Sequence, residues 1–86
     1  MKFILEKTCS ACPEQYDVYL DGKQVGYLRL RHGHFRCDYP SWGKETIYSA
    51  YPKGDGEFYD DERDYYITEA LKSIKEKLNE ISYEIK

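Results

Sequence analysis

Cys9 and Cys12 stand at the two-residue spacing that lets a pair of thiolates grip one zinc ion, with Cys37 and His34, or His32, farther along as third and fourth ligands. A second C-x-x-C is missing, and Cys37 alternates in phase with Phe35 and Tyr39 on what reads as a core face. Free structural cysteines are therefore the preferred expectation, and zinc is the one cofactor the residues suggest. A redox dithiol at Cys9 and Cys12 fits less well, because the motif that lowers a thiol pKa normally opens a helix beside a parallel sheet, and here it precedes Pro13 among hairpins.

A second constellation is aromatic and basic. Tyr19, Tyr27, Arg29 and Arg31 fall on one face of two neighbouring strands, and Arg36 joins them from the next. Guanidinium groups interleaved with aromatic planes suit bases, phosphates or an acidic protein segment. The plainer reading, which the alternation of any solvated face favours, pairs these arginines with Asp17 and Asp38, or with the acidic loop from Asp55 to Asp64 folded back over the sheet.

The remaining candidates carry less. Asp55-Gly56-Glu57-Phe58-Tyr59-Asp60 offers carboxylates without the EF-hand spacing, so it reads as a solvated loop and helix cap. His32 and His34 flank Gly33 in a turn with no nucleophile at a telling distance and no Gly-rich phosphate loop, so no enzyme is expected. Ile81, Tyr83 and Ile85 would pair with a second copy of the chain if the sheet leaves them uncovered; otherwise they form a frayed terminus.

The elements that must position these residues follow from periodicity. Phe3 and Leu5 alternate with charged neighbours in a short first strand, and Pro13 ends the loop after it. Tyr16, Val18 and Leu20 share one strand face, Asp21-Gly22 is a hairpin turn, and Leu28 and Leu30 oppose Val25, Tyr27, Arg29 and Arg31 on the return strand. After Gly33, Phe35, Cys37 and Tyr39 define another strand, and Thr46–Ala50 the last. Ile67, Leu71, Ile74, Leu78, Ile81 and Ile85 recur at spacings of four and three, which is the stripe of an amphipathic helix with Asp60 or Asp61 as N-cap. Asp60, Asp61, Glu62 and Asp64 complement its dipole. The chain is thus expected to be one α+β domain: an antiparallel meander of four to five strands within residues 2–50, an acidic loop over 51–60, and a helix over 61–84 lying across the sheet.

Charge and composition narrow the function classes. The 86 residues carry a net charge of −3, with seven basic and six acidic side chains up to residue 50 and six against ten beyond it. No global field draws such a chain onto nucleic acid or anionic lipid, so any such binding needs a local patch. The N-terminal apolar run is too short for a signal sequence, no segment reaches membrane-spanning length, and three cysteines cannot all pair, which together point to the cytoplasm. Ten tyrosines must supply much of the apolar area, and each buried hydroxyl needs a partner, so the core should be wet at its edges.

The stretches Cys12-Pro13-Glu14-Gln15-Tyr16-Asp17-Val18, Tyr27-Leu28-Arg29-Leu30-Arg31-His32-Gly33 and Glu62-Arg63-Asp64-Tyr65-Tyr66 resemble small uncharacterised proteins of phages and conjugative mobile elements in Gram-positive bacteria. The resemblance implies a mobile-element origin and carries no activity, ligand or site residue with it. The expectation is a non-catalytic interaction module whose Tyr19, Tyr27, Arg29, Arg31 and Arg36 face an anionic protein or nucleic acid. Its rival is a zinc-stabilised structural domain that self-associates through the C-terminal helix.

Overall fold

Two hairpin turns set the register of the sheet. Asp21 and Gly22 take φ of 52° and 80°, and His32 and Gly33 take 54° and 75°. Positive φ at both central residues matches the right-handed twist of the flanking strands, and glycine at the second position removes most of the steric cost. The computed structural model describes residues 2–9 and 13–81, the last two without side chains. In it, β1 (Ile4–Lys7), β2 (Glu14–Leu20), β3 (Lys23–Arg31), β4 (His34–Tyr39) and β5 (Glu45–Ala50) form one antiparallel sheet in sequence order, followed by α1 (Asp60–Ile81). The α+β meander read from the sequence is the observed fold.

One face of the sheet is covered. Val18, Leu28, Leu30, Phe35 and Cys37 point toward α1 and are fully buried with Ala70 and Ile74 of the helix, while Phe58 closes the end. Burial of each large apolar side chain is worth about 1.5–3 kcal/mol. Phe35 is the hub of an aromatic cluster, edge-on to Phe58 at 4.9 Å and to Tyr48 at 6.0 Å. Tyr16, Tyr39, Tyr48 and Tyr66 line the rim half-buried, which is how a tyrosine-rich chain keeps hydroxyls near water.

Two readings change. Val25 was expected beside Tyr27 and Arg29, yet it is buried in the core. Val18 pairs with Gly26 and Tyr19 with Gln24, so Val25 is the extra residue of a β-bulge, and the bulge re-aims its side chain. The helix cap differs as well. Asp60 and Asp61 already lie within α1; Tyr59 is the N-cap, its carbonyl accepting from Glu62 N and Arg63 N at 3.1 Å. Glu62, at the third helical position, accepts from Tyr59 N at 3.0 Å, which is the carboxylate half of a capping box.

The buried seam of the helix also runs through a residue outside the large-apolar stripe. Ala70 is buried completely, with its carbonyl 4.0 Å from the Cys37 sulfur, because a small side chain lets helix and sheet approach there. Gly26 serves the same approach, since a Cβ on it would lie 2.5 Å from Ile74 Cδ1. Burial pushes the Cys37 thiol up to about 12, which keeps it protonated and unreactive. Iodoacetamide treatment of the folded protein, followed by peptide mapping, should therefore leave Cys37 unmodified until denaturant is added. Alkylation of Cys37 under native conditions would contradict this packing.

Candidate functional site

The uncovered face of the sheet is divided by charge. Register places Gln15, Arg29, Arg36 and Ser49 in one row across β2 to β5, with Arg31 opposite His34 beside it at the β3–β4 turn. Arg29, Arg31, His32, His34 and Arg36 surround a depression of about 340 Å³. Arg29 stands directly opposite Arg36, an arrangement that costs stability because like charges face each other across strands. Asp38 relieves one of them, accepting from Arg36 Nε at 3.2 Å while also holding Gly43 N and the Thr46 hydroxyl. Arg29 and Arg31 form no ion pair among the described residues. Of the pairings in the plainer reading of this face, Arg36 with Asp38 is the one present among the described residues, and it runs along β4 instead of across strands.

The two tyrosines expected in this set go elsewhere. Tyr27 is 7% exposed and donates its hydroxyl to Gln15 Oε1 at 3.0 Å. Burial pushes its phenol up, with the Arg29 and Arg36 guanidinium groups beside it pulling it down, and at 7% exposure Tyr27 offers little contact surface. Tyr19 lies toward the acidic end of the same face, where burial and then the charges of Asp17 and Glu6 push its phenol up. The exposed aromatic ring next to the basic depression is Tyr51, which the sequence reading passed over and which reaches the depression through His34, one of the lining residues. It is 77% exposed and stacks on His34 with centroids 4.9 Å apart and planes 17° from parallel, while His34 Nε2 lies 2.6 Å from Ser49 Oγ. Its signal was present, since Tyr51 follows Ser49 by two residues and shares its face.

Buried carboxylates hold the loop of residues 51–59 that carries Tyr51. Glu14, 1% exposed on the core face of β2, accepts from Phe58 N at 2.9 Å, from Tyr16 Oη at 2.5 Å, and from Arg63 Nε and Nη2 at 2.8 and 3.3 Å. Glu62 accepts from Lys53 N and Gly54 N, each at 2.9 Å. At the turn itself Gly33 N donates to the Asp55 carbonyl at 2.7 Å. The acidic loop thus does fold back to the edge of the basic patch, through its backbone.

No family model, curated protein or solved structure matches the chain.

Desolvation would raise both carboxyls, but donors outweigh it: Arg63, Tyr16 and Phe58 N hold Glu14 below the ordinary 4.5, and three backbone N–H groups hold Glu62 below it. A carboxyl whose folded-state pKa is depressed adds stability that is present above its unfolded value and disappears as pH falls through the folded value. The melting temperature should accordingly fall progressively below pH 4.5, and Glu14→Gln should flatten that decline. An acid limb of unchanged slope in the variant would show that Glu14 does not contribute.

Among the described residues the zinc set is not brought together. Cys37 points into the core against Ala70, while His34 points to the opposite face of β4 and stacks on Tyr51. Strand alternation puts them on two sides of the sheet. Cys9 is half-buried just after β1, and Cys12 lies outside the described residues. The helix end expected to self-associate also lies outside them: Tyr83 and Ile85 are not described, and Ile81 is described by its backbone alone. Among the described residues no helix is long and apolar enough to cross a membrane.

Proposed function

We propose that the chain is a non-catalytic binding module, acting in the cytoplasm, whose outer sheet face takes an anionic group of a partner between Arg29, Arg31 and Arg36. The observation that carries this reading is the convergence of three guanidinium groups and two histidines on one depression, where among the described residues only Arg36 has an ion-pair partner, in a chain of net charge −3. Like charges held opposite one another oppose folding, and an anion seated among them converts that repulsion into charge-assisted hydrogen bonds. Arginine is suited to this because its planar fork grips phosphate or carboxylate with two parallel bonds and cannot be deprotonated.

Retention on immobilised heparin, used as a polyanion, tests the site. The wild-type chain should be retained despite its negative charge, and Arg29→Ala with Arg31→Ala should elute at clearly lower salt. Lys72→Ala with Lys75→Ala removes the same formal charge from the exposed side of α1 and should elute with the wild type. Equal shifts in both variants, or a wild-type chain that is not retained, would overturn the reading.

A further inference from the structure

The basic depression does not stand alone: an exposed aromatic ring is mounted at its rim. Tyr51 has one ring face against the His34 imidazole, and 77% exposure leaves the other to solvent. His34 is in turn fixed by Ser49 and stands opposite Arg31 in the sheet register. Arg31 and Arg29 are two residues apart on β3, about 7 Å along the strand, with Arg36 across from Arg29. A flat aromatic plane beside a short line of guanidinium groups thus occupies one end of one sheet face.

Resting on the proposed anion-binding role of this face, we infer that its partner is single-stranded nucleic acid, with backbone phosphates at Arg29, Arg31 and Arg36 and a base stacked on the open face of Tyr51. The chemistry separates this from the alternatives. An acidic peptide would satisfy the arginines but would leave the exposed ring without a planar partner. A duplex offers phosphates while its base faces are already stacked on one another, so Tyr51 gains nothing from it. A single strand presents both groups at once, and stacking is indifferent to base identity because every base has a π-face. The acidic remainder of the chain, ten carboxylates against six basic groups beyond residue 50, opposes a long polyanion and restricts contact to a few nucleotides at the patch.

Fluorescence anisotropy with a labelled oligothymidylate of about ten nucleotides, a duplex of the same length and a glutamate-rich peptide tests this. The single strand should bind tightest. Tyr51→Ala should weaken it roughly tenfold, within the range expected for loss of one base–aromatic stack, whereas Tyr51→Phe should retain it. Since Tyr51 is mostly solvent-exposed, its alanine variant should melt as the wild type does, which separates lost stacking from lost fold. Peptide or duplex binding at least as tight as the single strand, or no effect of Tyr51→Ala, would overturn the inference. If heparin retention still depends on Arg29 and Arg31 in that case, the anion-binding role of the face survives it; if retention also fails, both fall.

Discussion

Arg63→Met should destabilise the domain by about 3 kcal/mol, because it leaves the Glu14 carboxylate inside the protein without its cation. Glu14 is 1% exposed and Arg63 meets both of its oxygens, so water has little access to replace the guanidinium. For a domain of this size that corresponds to a loss of roughly 12–24 °C in melting temperature. Partial exposure of Arg63, 28% of its side chain, places the expected loss at the lower end of the range for broken buried pairs. Replacing both members, Glu14→Leu with Arg63→Met, should recover only part of it. The uncompensated charge is gone, but Phe58 N and the Tyr16 hydroxyl lose their acceptor, and a buried donor left unpaired costs about 1–3 kcal/mol. Thermal denaturation of the two singles and the double closes the cycle. A double variant no more stable than Arg63→Met would show that the hydrogen bonds of Glu14, and not its charge, secure the loop.

Gly54→Ala should be the other severe substitution. A Cβ there would lie 2.0 Å from the Glu57 carbonyl oxygen and 2.9 Å from its carbon, both backbone atoms, so no rotamer change relieves the clash and the turn itself must open. Opening it pulls Gly54 N away from Glu62, which loses one of its three backbone donors. Loop strain and the lost hydrogen bond together should cost about 2–4 kcal/mol. Gly22→Ala makes a useful comparison: nothing lies within 4 Å of its Cβ position, so it suffers only the left-handed φ of 80°. That should cost about 1 kcal/mol. Urea denaturation of both variants is the check, and equal midpoints would mean that the crowding at Gly54 is absorbed by the loop. Because the same loop carries Tyr51, Gly54→Ala should also loosen the aromatic rim of the basic face, an effect Gly22→Ala should not have.

Glu14 and Glu62 therefore connect stability to the candidate site. One ties the end of the loop at Phe58 to β2, and the other ties its middle, at Lys53 and Gly54, to the first turn of α1. Both are carboxylates whose position in the chain gives no hint of a distant partner, yet each satisfies backbone donors that would otherwise be buried unpaired.

Local pattern determined most of the architecture. Two-residue alternation around Val18, Leu28 and Phe35, Asp-Gly and His-Gly at the turns, and the Ile67 to Leu78 periodicity each depend on neighbours within a few residues, so they were legible in order and led to the observed meander and helix. The same alternation put Arg29, Arg31 and Arg36 on one face. What it could not supply were quantities set by residues far apart in the chain. A bulge opposite Val18 turned Val25 inward, and Tyr27 ended buried beside Arg29 and Arg36. Glu14 met Arg63 across 49 positions, and Tyr51 stacked on His34. Register and strand faces are local properties of a two-residue period. Which side chain ends covered, paired or open depends on how the loop of residues 51–59 and α1 close over the sheet, and only the tertiary structure decides that.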